Sequence, residues 1–139
     1  MQLQFHTLDV FTDRTLGGNP LGVFPHAAHL PPDLMQRIAL EMHLSETVFL
    51  GPPETTGGSA RVRIFTPHRE VPFAGHPTVG AAIFLAAGAE PDGSGSRTLG
   101  RDPGADSVTA DSVTLVLEEN VGPVPVAVRL ENGTPVFAQ

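Results

Sequence analysis

Cysteine and lysine are both missing from this 139-residue chain, and each absence removes a class of chemistry. Without cysteine there are no disulfides, no thiolate nucleophiles and no thiolate metal sites. Without lysine there is no Schiff-base amine, and all eight Lys-or-Arg positions are arginine. Basic charge is scarce against 15 acidic residues, and the formal net charge of −7 argues against non-specific binding to nucleic acid or an anionic membrane. A small anionic ligand is still permitted, because a helix amino terminus and a few arginines act locally. Met1-Gln2-Leu3-Gln4-Phe5-His6 has neither the basic nor the apolar stretch of a secretion signal, so a cytoplasmic location is the expectation.

What is present is ordinary for a globular chain: 40% hydrophobic and 17% charged residues. The length suits one domain, able to remove roughly two-thirds of its unfolded surface from water. Fifteen glycines and fourteen prolines favour many turns and short strands over long helices.

One stretch organises the rest. Pro72-Phe73-Ala74-Gly75-His76-Pro77-Thr78 runs into Val79-Gly80-Ala81-Ala82-Ile83-Phe84-Leu85-Ala86-Ala87-Gly88, with no charge from Val79 to Ala89. A helix that is apolar or small on every side must be buried, and this one is too short to span a bilayer. It is expected to thread the middle of the domain, wrapped by sheet, its Ala and Gly letting strands come close. Pro77 suits the first turn, where a missing N–H is harmless. Gly75 and His76 would then form the mouth, where free N–H groups and the positive end of the helix dipole favour a carboxylate or phosphate.

Around it, residues 3–11 read as a strand apolar on both faces (Leu3 and Phe5 against Leu8 and Val10) and are placed centrally. A loop over 13–20 follows, whose Gly-Gly-Asn-Pro permits positive φ and an extended exit. A short strand at 21–24 and a loop over 25–31 come next. Residues 32–43 form an amphipathic helix on the outside, with Leu34, Met35, Ile38, Ala39 and Met42 inward and Gln36, Arg37 and Glu41 outward. Residues 44–50 leave that helix straight into a strand, and 52–58 form a loop. Residues 60–66 alternate Val62 and Ile64 with Arg61 and Arg63, a half-exposed strand. Beyond the central helix, 91–106 reads as a surface loop, 113–118 and 124–131 as strands, and Asn132-Gly133 as a two-residue hairpin into 134–139.

Two titratable side chains sit where chemistry could be done: His76 at the helix mouth, and Glu46 between the outer helix and Val48-Phe49-Leu50. Partial burial of Glu46 would raise its pKa and suit it to general acid/base work. Spacing alone is equally compatible with a solvated Glu46 at a helix end and with His76 as a structural cap.

The motifs Val10-Phe11-Thr12-Asp13, Gly18-Asn19-Pro20-Leu21, Met42-His43-Leu44-Ser45-Glu46-Thr47, Arg63-Ile64-Phe65-Thr66-Pro67 and Pro72-Phe73-Ala74-Gly75-His76-Pro77-Thr78, in this order, resemble successive landmarks of the PhzF-like (phenazine-biosynthesis isomerase-like) family. The resemblance covers nearly the whole chain and is weakest over 91–106. It implies an α+β diaminopimelate-epimerase-like fold of two similar lobes, each a mostly antiparallel sheet or barrel around a central helix. It implies that Glu46 is the general acid/base, shifting a proton within a small unsaturated or cyclic carboxylic acid, with His76 beside it. Asn19, Ser45, Gly75, Pro77 and Thr78 are implied as substrate-binding positions. No metal, nucleotide or pyridoxal cofactor is implied, and no nucleic-acid or membrane partner. The paired cysteines of the family's epimerase relatives are absent here, which rules out a two-thiol racemisation.

Two departures stand out. His43 occupies a position where family members usually carry Asn, an exchange that either matters little or puts an imidazole near Glu46 and alters its pKa. Family members are also about twice as long, and nothing from Glu90 onward matches the acidic residue and Gly-Ser stretch of their second lobe. Residues 1–139 are therefore expected to be an amino-terminal lobe alone, completed by a carboxyl-terminal lobe or by a second copy in a homodimer; the alternatives are a non-catalytic small-molecule-binding domain that keeps the fold and pocket, or an inactive truncated lobe.

Overall fold

The computed structural model describes residues 1–88 and 112–139; the expected loop over 91–106 lies outside the described residues. Eight strands and two helices follow one another as β1 (His6–Val10), β2 (Asn19–Phe24), α1 (Pro32–Met42), β3 (Thr47–Gly51), β4 (Ala60–Phe65), β5 (Glu70–Val71), α2 (Gly75–Ala86), β6 (Ser112–Glu119), β7 (Gly122–Glu131) and β8 (Thr134–Ala138). The sheet runs in the order β1-β2-β3-β4-β6-β7-β8, with β5 paired to β4. Pairings are antiparallel except β2 with β3 and β4 with β6. The sheet curls as a half-barrel around α2.

The charge-free helix is central, as its composition requires. Val10, Leu21, Val23, Val48, Leu50, Val62, Ile64, Leu115, Leu117, Val126 and Val128 close over its Ala81, Ala82, Phe84 and Leu85. Period-two alternation puts each of these on the inner face of its strand. At Gly80 the helix lies close against the sheet: a Cβ there would stand 2.5 Å from Leu21 Cδ2 and 2.9 Å from Val10 Cγ2. Burial is not uniform round the helix, however. His76, Val79 and Ile83 are only partly covered, and at positions i, i+3 and i+7 they form a single stripe.

The opposite face of the sheet carries a second core. Met35 and Ala39 of α1 pack with Phe24, Phe49 and Phe65, and Leu34, Ile38 and Met42 are partly buried against them. The Phe24 and Phe49 rings stack at 5.0 Å, and Phe65 meets Phe49 edge-on at 5.3 Å. This is the amphipathic helix expected from the sequence, one residue shorter. His43 ends it in the left-handed region with φ of 56°. His tolerates that conformation better than most residues, as Asn does, which accounts for the exchange at this position. The His43 ring lies near the Leu40 carbonyl at 3.5 Å, and the Glu46 carboxylate pairs with His76 instead.

Several expectations are corrected. The first strand lies at the sheet edge rather than centrally and starts at His6, not Leu3. Its outer apolar face is served by Phe5, which stacks on Phe24 at 5.5 Å, so two apolar faces do not require a neighbour on each side. Positive φ in the following loop falls on Phe11 and Leu16, not on Gly17 or Gly18. Gly18 is instead a point of close approach, where a Cβ would collide with the Val10 carbonyl oxygen. The second strand begins at Asn19, two residues before the apolar run. The central helix begins at Gly75 with Ala74 as its cap, so the expected mouth residues are its first turn. The two-residue strand β5 left no periodic signal. The Asn132-Gly133 hairpin is as expected, with φ of 51° and 78° and Glu131 paired to Thr134. No helix among the described residues is long and apolar enough to cross a membrane.

Candidate active site

Strand direction brings distant segments to one end of α2. His6 lies 5.1 Å from the Phe84 ring and Phe11 lies 6.3 Å from the His76 ring. β1 therefore runs from the carboxyl end of the helix toward its mouth. β2 is antiparallel to β1 and β3 is parallel to β2, so both begin at the mouth. That places Asn19, the first residue of β2, and Glu46, which precedes β3, at the same end as His76.

Alternation orients Glu46. Val48 and Leu50 face α2 while Phe49 faces α1, so Glu46, two residues before Val48, points to the helix side. There its Oε2 lies 3.1 Å from His76 Nδ1, with side-chain exposures of 22% for Glu46 and 11% for His76. A carboxylate only accepts hydrogen bonds, so the Nδ1–H donates to it. His76 Nε2 is left buried with no partner among the described residues. The Phe11 ring, itself held at positive φ, stands beside the imidazole.

The other expected residues separate. Gly75 is exposed at the mouth, and a Cβ there would meet nothing within 4 Å. Helix geometry leaves the N–H groups of Gly75 and His76 outside the intrahelical ladder. Pro77 has no N–H, and the Thr78 N–H donates to the Ala74 carbonyl at 3.1 Å. The expected backbone cradle over 75–78 thus reduces to two donors. Thr78 turns its hydroxyl inward, donating to Ala74 O at 2.7 Å, and its Oγ1 also lies 2.7 Å from Glu119 Oε1. Asn19 is exposed at the rim, opposite Val10 in the ladder, and shares the inner face of β2 with Leu21 and Val23. Ser45 is exposed one residue before Glu46.

Three acidic residues that the sequence left unremarked have defined partners. Burial pushes the Glu119 carboxyl up, against the opposing pull of Arg61. Hydrogen bonds from the Thr55 hydroxyl and the N–H groups of Glu54 and Thr55 hold Glu118 below the usual carboxylate range and tie down the loop over 52–58. Arg63 grips Glu70 in a two-pronged pair at 2.8 and 2.7 Å, which lowers the Glu70 pKa. The sole sequence signal for Glu118 and Glu119 was an acidic pair closing an apolar strand, where one of two neighbours must turn inward.

The model of the phenazine biosynthesis-like protein family matches residues 8–138. The chain belongs to that family. An uncharacterised isomerase of Mesorhizobium japonicum is 46% identical over 131 residues, covering 94% of this chain and 37% of that protein. The trans-2,3-dihydro-3-hydroxyanthranilate isomerase of Pseudomonas fluorescens is 40% identical over 131 residues, covering 94% of this chain and 39% of its own length. Among solved structures, one titled as a predicted epimerase from Pseudomonas aeruginosa superposes with a TM-score of 0.73 at 31% identity, over 99% of this chain and 42% of the other. This member of the phenazine biosynthesis-like family thus spans about two-fifths of the length of the relatives it matches, and the half-barrel around α2 is a fold it shares with them.

Proposed function

We propose that this chain is one lobe of a proton-shifting isomerase acting on a small unsaturated or cyclic carboxylic acid. The observation that supports this is the Glu46–His76 pair at 3.1 Å on the mouth of α2. In this reading the substrate carboxylate is drawn to the Gly75 and His76 N–H groups and the positive end of the helix dipole. Glu46 takes a proton from one carbon of the conjugated system and returns it to another, so the reaction is balanced without an oxidant or reductant. His76 Nδ1–H holds Oε2 of Glu46 in place while the other carboxyl oxygen takes up and releases the proton. Named activity in the Pseudomonas fluorescens relative points to a dihydro-hydroxyanthranilate as the first acid to try.

Proton transfer between two substrate atoms needs the base within about 3 Å of each and water kept out. Glu46 is 22% exposed, and one lobe offers the base without an opposing wall. The wall is supplied by a second lobe or by a second copy. Sedimentation paired with deuterium uptake from D2O into dihydroanthranilate-type acids, over a concentration series, tests this. Activity that rises with self-association or with an added second lobe, and is lost in Glu46→Gln, is the expected outcome. A monomer exchanging substrate protons at a Glu46-dependent rate overturns the need for a wall, and exchange that survives Glu46→Gln overturns the role of Glu46.

A further inference from the structure

Behind the mouth, on the far side of the first turn of α2 from Glu46, lies a buried acid that the proposed proton shift does not use. Glu119, the last residue of β6, is 5% exposed. Its Oε1 lies 2.7 Å from Thr78 Oγ1, and that oxygen in turn lies 2.7 Å from the Ala74 carbonyl oxygen. Three oxygens in a row at this spacing need two protons between them. The Thr78 hydroxyl has only one, and the Ala74 carbonyl has none, so the second must come from Glu119.

We propose that Glu119 is a positioning residue: as a carboxylic acid it donates to Thr78 Oγ1, Thr78 donates to Ala74, and this relay fastens the first turn of α2 that carries His76 to Glu46. The catalytic consequence rests on the isomerase reading; the relay itself does not.

The surroundings agree. Glu119 Oε2 is buried with no partner among the described residues, tolerable for the carbonyl oxygen of a neutral acid and expensive for a carboxylate. On β4 the facing cation is Arg61, but its guanidinium is engaged by the Glu118 and Val62 carbonyls, by Asn120, and by the Glu54 carboxylate at 3.6 Å. On α2 the titratable group is His76, already held by Glu46. β7 presents Gly122 opposite Glu119, followed by Pro123, and neither is charged. The neighbouring Glu118 carboxylate points away, into the loop over 52–58. The positive end of α2 favours an ionised Glu119, and burial opposes ionisation. A neutral acid here also leaves the free N–H groups of the mouth to an incoming carboxylate.

Carbon-detected NMR of the 139-residue chain, following the Glu119 carboxyl, the Thr78 amide and the His76 ring through a pH titration, tests the relay without any turnover. Glu119 should still be protonated after the exposed glutamates have titrated, and its ionisation should shift Thr78 and His76 in the same step. In Glu119→Gln, whose amide N–H can donate to Thr78 at every pH, that coupled step should vanish. In Glu119→Ala, hydrogen exchange at Thr78 should quicken by about tenfold. Glu119 titrating together with the exposed glutamates overturns the proposal, and so does a His76 ring that ignores Glu119 ionisation. The wild-type titration decides the matter even if a variant fails to fold. Because no step reads isomerisation, failure here and failure of the isomerase reading are separate results.

Discussion

Gly80→Ala and Gly75→Ala change the same helix by the same methyl group and should move stability in different directions. At Gly80 the new Cβ would lie 2.5 Å from Leu21 Cδ2 and 2.9 Å from Val10 Cγ2, about 1 Å inside comfortable carbon–carbon separation. A terminal methyl could swing aside on a surface, but Leu21 is fully buried and Val10 nearly so, leaving no space to receive it. Overpacking of this kind costs about 1–3 kcal/mol. Replacing glycine by alanine in a helix returns about 0.5–1 kcal/mol, so the net loss centres on about 1 kcal/mol and reaches about 2.5 kcal/mol at most. For a domain of this size that is a fall of roughly 3–8 °C in Tm. At Gly75 the Cβ meets nothing within 4 Å, and the variant should match the parent or gain up to about 1 kcal/mol. Thermal melts by circular dichroism and urea midpoints, run on both variants together, make the comparison. If Gly80→Ala is as stable as the parent, or if both variants shift equally, α2 does not press on β1 and β2 as described.

Three further outcomes follow from the same geometry. Ala82→Asp places an unpaired carboxylate at a site with no exposure; it should cost about 4 kcal/mol or more, or abolish folding, and a cooperative melt at the parental temperature would refute the central position of α2. Glu70 and Glu118 have folded pKa values below the usual 4.5, so each contributes stability above that pH that is lost as pH falls through the folded value. Urea midpoints between about pH 5 and pH 2 should decline less steeply in Glu70→Gln, and an unchanged slope would show that the Arg63 pair does not hold. Titration with anthranilate-like acids should shift amides of Gly75 and His76 first, and shifts clustered elsewhere would displace the site from the mouth.

Sequence by itself determined the elements whose signal is local. The charge-free run had to be buried because none of its faces could be left to water, and α1 had to lie outside because its apolar positions share one face. Asn132-Gly133 had to turn because few other pairs accept two left-handed residues. Glu46 and His76 were legible as candidates, though spacing left each open to a bland role. Only the tertiary structure decided that β1 lies at an edge, since strand order depends on which neighbours compete for a ladder and not on the strand's own pattern. It alone joined Glu46 to His76, thirty residues apart, through the parallel pairing of β2 with β3. It alone turned Thr78 away from the mouth toward Glu119, because in an acidic pair closing a strand one side chain must face the core, and which one depends on the register of β6 against β4.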